Sequence, residues 1–540
     1  MNRHAFSILA GCAIVVLCGC ATHELASAPA SPDSPWQPSQ TASGEIQPGR
    51  AARHGLLMPP GFTLPPNSQI QVRPPDTAIT AQAGHAYGLA ELIDIAQSTN
   101  PDTRRAWDTA RDAALAVGIT RSTYLPRLTA TVVGGYNHTR NNGDNPSISN
   151  GGAAGDAFNG GVTSFNNLVG GVRNAGSGAG EIQTVGLEWL LFDFGKREAV
   201  LAAMRQGQIG ANILFTAAHQ KIIYGVTIAF YAHAAAASRV RWLEQALENA
   251  RRVEDAAQAR LKHGQGTIVD ATQARQATAQ TELRLVQAQG DVENTYLELV
   301  NAMGISPRTR LQTENVSDRP LTLDDTRLSD AFVQQAVARR ADVLAAYASV
   351  KATQSEVTAA RSEFLPKIFV TGNVAYTTGR LALSSVPGVG SDSPPTLNLS
   401  SNALSSVILG GISVPIFDGG MRAAQLRQAQ DRADSASATL QKTVDASVKQ
   451  IVAAENALHT SLSAYSASGR LEAATRTAFD AAYAAYRNGV GSIIQTSMAQ
   501  NGLLDATLSH SDAYYAALIA AASLAFSTGS LDQAPAEYAP

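Results

Sequence analysis

The chain has 540 residues, of which 45% are hydrophobic and 16% charged, and its 41 Lys and Arg nearly balance its 44 Asp and Glu. That balance supplies no basic field for a phosphate backbone, which argues against nucleic acid as a partner. All three cysteines, Cys12, Cys18 and Cys20, fall in the first twenty residues, so no disulfide framework or CxxC metal site is available downstream.

The N-terminus reads as a signal peptide over 1–19: Arg3, an apolar run from Ala5 to Leu17, then small residues. Leu17-Cys18-Gly19-Cys20 resembles a bacterial lipobox, which implies acylation of Cys20 and, with Ala21 following, sorting to the outer membrane of a Gram-negative cell. Residues 20–85 read as a lipid-anchored tether. They carry 11 of the 23 prolines, among them Pro59-Pro60, Pro65-Pro66 and Pro74-Pro75, and such composition stays extended.

Beyond the tether the chain repeats itself. STYLPRLTATVVGGY at 122–136 returns 240 residues later as SEFLPKIFVTGNVAY at 362–376. LFDFGKREAVLAAMRQ from Leu191 returns 225 residues later as IFDGGMRAAQLRQAQ from Ile416, and LKHGQGTIVDATQA from Leu261 returns at the same offset as YRNGVGSIIQTSMA from Tyr486. The first copy therefore holds a 15-residue insertion between Pro126 and Phe192.

The repeats are expected over 86–310 and 325–530, with a tail at 531–540. In each, two strands flank a long Gly-, Asn- and Ser-rich loop, 138–181 in the first and 377–405 in the second. Strands are expected at about 123–137, 182–193, 363–376 and 405–418. Val185, Leu187, Trp189 and Leu191 alternate with Thr184, Gly186 and Glu188, so one face is apolar and the other small or polar. Strands of this kind suit a membrane barrel. Four are too few to close one, since such barrels begin at about eight strands, so several chains must pool them.

The helical hairpins are expected at about 195–303 and 419–526, with no proline from Gly195 to Gly304 or from Gly419 to Gly529. A helix from Lys196 to Lys262 spans about 100 Å, a coiled-coil length. The return helices carry three-four seams of small residues, Ala271, Ala274, Thr278, Thr281, Leu285, Ala288, Val292 and Leu299 in one, Thr496, Ala499, Leu503, Ala506, His510, Ala513 and Ala517 in the other. Small seams let helices approach side by side into a wall. At the hairpin tips, Gly264 closes one helix and Thr267-x-x-Asp270 opens the next as a capping arrangement; Gly489, Ser492 and Gln495 take the same places in the second copy.

The order of helix, Leu-Pro, strand, loop, strand, Phe-Asp turn, long helix, Gly-containing tip and return helix, twice over about 86–530, resembles the TolC-like outer-membrane efflux proteins, in their lipoprotein branch. The resemblance implies an α+β membrane protein. It implies a homotrimer whose four strands per chain form one β-barrel in the outer membrane, above a long α-helical coiled-coil barrel in the periplasm. It implies a passive exit duct with no chemistry or cofactor of its own, served by a periplasmic adaptor and an inner-membrane pump and seated in outer-membrane lipid. Adaptor contacts fall on the tips, here Gly264, Gly266, Thr267, Gly489, Gly491 and Ser492. The entrance constriction falls on Asp270, Tyr486, Arg487, Gln495 and Met498, where Asp270 and Tyr486 match a pair that joins neighbouring helix pairs. The family's Arg partner is replaced by Gly491, and two aspartates of an acidic ring by Gln495 and Met498; Arg487 stands close enough to substitute for the Arg.

Other features read as structural. The ten histidines show no HExxH spacing, and His219 and His233 read as helix-surface residues. Gly176, Gly178 and Gly180 read as a loop tip, and the apolar run from Tyr514 to Phe526 is too short to span a membrane as a helix. Type I secretion uses the same architecture and is the alternative transport role. A non-conducting periplasmic coiled-coil scaffold is the rival class, which the two strand hairpins disfavour. No nucleophile-base pair or metal set points to an enzyme.

Overall fold

The computed structural model describes residues 85–138, 177–316, 327–379 and 403–530, together with 39–41, 46–47, 66–67, 69–76 and 321. The signal peptide, Cys20, most of the tether, the bulk of both loops and the 531–540 tail lie outside the described residues. The chain divides into two units, 1–82 with 308–310, and 83–307 with 311–540. Within the first, Ser39–Gln40 pair antiparallel with Ile46–Gln47, and the Asp76 amide donates to Thr309 Oγ1 at 3.1 Å.

The second unit follows the repeat. Its first copy runs α1 (Leu89–Thr99), α2 (Pro101–Ser122), β1 (Arg127–His138), β2 (Ser177–Phe192), α3 (Lys196–Lys262) and α4 (Ile268–Met303). The second runs α5 (Asp330–Arg339), α6 (Ala341–Ser362), β3 (Lys367–Gly379), β4 (Ala403–Ser413), α7 (Met421–Arg487) and α8 (Ile493–Ser527). Both long helices are 67 residues. Ala-rich composition and the absence of proline sustain them, and glycines in the left-handed region bound them: Gly195 at φ 89° before α3, Gly420 at φ 90° before α7.

The strand limits differ from expectation for local reasons. β1 and β3 start at Arg127 and Lys367, not 123 and 363, because the preceding helix ends in turns (Leu125 amide to Ser122 carbonyl, Leu365 to Ser362) and then a proline without an N–H. β4 stops at Ser413, not 418; Pro415 follows, and Ile416 and Phe417 stand almost fully exposed. β2 begins at Ser177, so Gly178 and Gly180 lie in a strand and not at a loop tip, opposite Asn137 and Gly135.

The strands form one antiparallel sheet in the order β1-β2-β3-β4. Its register sorts the faces. One row aligns Leu128, Leu187, Gly372 and Ile408; the next, on the opposite face, aligns Thr129, Gly186, Asn373 and Val407; then Thr131, Thr184, Ala375 and Ser405 share that second face. The first face presents Leu128, Val132, Tyr136, Val185, Trp189, Val374, Leu404, Ile408 and Ile412, all exposed. Trp189 and the position opposite Tyr136 lie ten residues apart on β2, about 33 Å along the strand, which a tilt of about 40° turns into the ~25 Å height of an outer-membrane barrel's lipid-facing band, interrupted on β2 by Gln183 and Glu181 of the same face. β1 and β4, 12 and 11 residues long, are open edges within the chain. Such edges call for further strands.

A collar joins sheet to helices. Asp193 of the Phe-Asp turn is 4% exposed, and its Oδ2 accepts from the Arg197 amide at 3.0 Å and from Arg197 Nε at 3.1 Å. Arg197 also donates to the carbonyls of Thr123, Leu190 and Leu191 at 3.0, 2.7 and 3.0 Å, and its guanidinium lies 4.6 Å from the centre of the Tyr124 ring. Trp189 Nε1 donates to the Tyr124 carbonyl at 3.0 Å. The second copy repeats only the core of this, Arg422 on Asp418 at 3.1 Å.

The repeat also shows where packing is incomplete. α6 lies between α3 and α7, whereas its counterpart α2 packs on α3 with no second long helix of this chain beside it. Ala359 on α6 is 8% exposed, but Ile119, its match at the 240-residue offset, is 70% exposed and Leu115 is 62% exposed. The counterpart surface of α2 is apolar and uncovered, as expected of a contact supplied by another copy.

Candidate functional site

The two tips are built alike because the same few residues close them. In the first, Gly264 at φ 71° lets the Gln265 and Gly266 amides turn back to the Arg260 carbonyl at 2.8 and 3.1 Å; in the second, Gly489 at φ 82° lets Val490 and Gly491 do the same to Ala485, both at 3.0 Å. A Cβ on Gly491 would stand 2.9 Å from the Tyr486 nitrogen, so only glycine fits there. The turn itself therefore demands glycine at 491.

Thr267 and Asp270 form a complete capping box, the Asp270 amide on Thr267 Oγ1 at 3.1 Å and the Thr267 amide on Asp270 Oδ2 at 3.0 Å. Ser492 accepts from the Gln495 amide at 3.2 Å. Thr267→Ala is expected to lower local stability by about 1 kcal/mol, read as faster amide exchange over the first turn of α4, with α8 unchanged.

Within one chain the constriction residues have the following partners. Asp270 is engaged by its cap, and the hydroxyl of buried Tyr486 has no hydrogen-bond partner, so no bond joins the two. Burial, helped by the Asp270 charge, pushes the Tyr486 phenol above its usual pKa, with Arg260 opposing. Arg487 lies over the Tyr483 ring, 5.9 Å from its centre. The cation at Tyr486 is Arg260 of α3, which the sequence reading did not single out. Its guanidinium is 4.8 Å from the centre of the Tyr486 ring and donates to the Tyr486 carbonyl at 2.5 Å and to the Gln265 carbonyl at 3.1 Å. One side chain thus ties the tip of the first hairpin to the end of α7. Below it, Val253, Ala257, Ala274, Phe479, Tyr486 and Ile493 form a shared core.

Gln495 and Met498 are exposed on the first turns of α8, as are the apolar side chains of Ile268, Val269, Val490 and Ile494 around the two tips. His233 is a further correction. It is buried on α3 against Tyr296, with Nδ1 3.3 Å from Thr295 Oγ1, and burial lowers its pKa. Among the described residues no group of His, Cys, Asp and Glu could hold a metal ion.

An amphipathic sheet with two open edges, fixed by a polar collar to paired helices about 100 Å long, defines one segment of a membrane duct completed by other copies. Residues 92–305 and 332–530 match the outer membrane efflux protein family, and the chain belongs to it. It is 25% identical to Protein CyaE of Bordetella pertussis over 465 residues, 86% of this chain and 87% of that one. It is 27% identical over 310 residues to the outer membrane protein OprJ of Pseudomonas aeruginosa, covering 56% of this chain and 60% of OprJ. The fold is similar to that of the Campylobacter jejuni CmeC outer membrane channel, with a TM-score of 0.66, 19% identity, and coverage of 82% and 85% of the two chains. The family is one of outer membrane efflux proteins, and CmeC is an outer membrane channel.

Proposed function

We propose that this chain is the exit duct of a tripartite efflux system, a homotrimer conducting solutes passively from a docked adaptor and inner-membrane pump to the cell exterior. The observation that carries the reading is the sheet: one face is mainly apolar, the other carries most of the Thr, Ser and Asn side chains among a few apolar ones such as Val407, and its edges are open. Three copies supply enough strands to close a barrel. Acylation of Cys20 would hold each copy to the membrane, and outer-membrane lipid would surround the apolar face.

The test uses the absence of cysteine after Cys20. Single cysteines at Ser405 and Ile408 should differ sharply in outer-membrane vesicles, Ser405→Cys reacting with a water-soluble maleimide and Ile408→Cys only after detergent. Equal labelling of both would refute the spanning sheet.

The adaptor is proposed to seat on the exposed aliphatics and turn glycines of the tips, and the entrance to be held shut by the Arg260 clamp. Two charge-assisted hydrogen bonds and a cation-π contact at a partly buried site are together worth about 2–3 kcal/mol. Arg260→Ala should therefore move the closed-to-open ratio by about a hundredfold, read as a large rise in single-channel open probability. Arg487→Ala should leave it near wild type.

A further inference from the structure

One cavity belongs neither to the tips nor to the sheet. It holds about 330 Å³ between α3, α7 and α8, within one chain, where the first hairpin meets the second. Its α3 wall runs from Trp242 to Arg252, about 15–30 Å from the end of α3, and its α7 wall reaches Tyr483, one turn before the end of α7. Trp242, Phe479 and Tyr483 supply aromatic surface, with the Phe479 and Tyr483 rings stacked at 5.9 Å and 11°. Gln500, 6% exposed, lines it, and its Oε1 meets no donor in the protein. A buried amide oxygen left without a donor is costly, and a turn about its soft terminal torsion presents it to an occupant.

The charged groups at this cavity are Arg252, Arg476 and Asp480. Arg476 is engaged by Glu472 at 2.7 Å and Arg252 bonds the neutral Asn249 side chain, which leaves Arg252 as the cation facing an occupant and Asp480 as the acid in the same lining. None of this is required by the fold. At the 225-residue offset, Trp242, Phe479, Tyr483 and Gln500 match Ala467, Glu254, Gln258 and Arg275. The repeat therefore carries no second set of these side chains at the matching positions.

We infer that this cavity is a binding site for a small planar aromatic acid carrying a hydrogen-bond donor. The ring lies among Trp242, Phe479 and Tyr483, the carboxylate faces Arg252, and the donor reaches Gln500. The volume and the mix of aromatic walls with a few polar groups are those of small-molecule sites. Because its walls come from both hairpins, an occupant favours the spacing of the hairpins described above.

Calorimetric titration of the intact purified protein with indole-3-acetate, which carries ring, carboxylate and N–H donor, tests this. Saturable binding at one site per chain is expected, weakened about tenfold or more by Arg252→Gln and by Gln500→Leu, since each removes a hydrogen bond to a charged or buried group. Arg252 is exposed, so its variant keeps the fold and isolates the carboxylate contact. Indole binding as tightly as indole-3-acetate, binding unaffected by both variants, or no binding at millimolar probe would each overturn the proposal.

Discussion

Asp193→Ala should cost the folded protein about 3 kcal/mol or more, the largest stability loss expected of any single polar substitution in the chain. The carboxylate is buried, and its removal strands the Arg197 guanidinium, itself only 11% exposed, against carbonyls that cannot balance its charge. Because Arg197 also fixes the last residues of β2 and the turn before β1, the loss is felt at the angle between sheet and helices. Heat-resistance of the assembled protein on gels and its yield in the outer membrane would report it. The second copy provides the control: the Asp418–Arg422 pair is 19% and 23% exposed, so Asp418→Ala should cost about 1 kcal/mol. Equal effects of the two substitutions would show that the collar is not what the geometry says it is.

Aspartates at Leu115 and Ile119 together should prevent assembly altogether. In the second copy the matching surface of α6 is sandwiched between α3 and α7, and Ala359 is buried there; in the first, α2 lacks that second helix within the chain. The repeat therefore assigns the open side of α2 to α7 of a neighbouring copy. Burying two carboxylates in that contact, with no partner for either, would cost several kcal/mol per interface, and a closed ring multiplies the loss by the number of interfaces. Mass measurement in detergent should give monomers for the double variant. A trimer of normal stability would place the interface elsewhere.

Much of this organisation is readable from residues that lie close together in sequence. Leu-Pro marks where helix gives way to strand because proline ends the one and its missing N–H delays the other. Phe-Asp marks the return to helix because the aspartate accepts from an amide four residues on, as Asp193 does from Arg197. Thr267-x-x-Asp270 forms the box its spacing requires. Two copies of such local signals fix the order of elements without any knowledge of long-range contacts.

The tip clamp escaped for the opposite reason. Arg260 and Tyr486 are 226 residues apart, and a surface-type arginine on a charged helix gives no sign of its partner. The resemblance drew attention to Arg487, adjacent in sequence to Tyr486, but consecutive helix residues diverge by about 100° and point to different neighbours. His233 escaped similarly: its Ala-rich surroundings look like a helix surface until Tyr296 of α4 is packed on them. Strand ends in Gly-rich sequence were also missed, since Gly178 and Gly180 carry no side chain to show alternation and are held by backbone pairing to β1 and, at Gly180, to Gly379 of β3.

The central claim is that several copies of this chain make one conducting duct. Single-channel recording of the purified protein in a planar bilayer, with its mass determined in the same detergent, tests it most directly. Stable trimers with discrete openings, sparse in the wild type and frequent in Arg260→Ala, are the expected result. Monomers that never conduct would contradict it and leave a periplasmic scaffold as the better description.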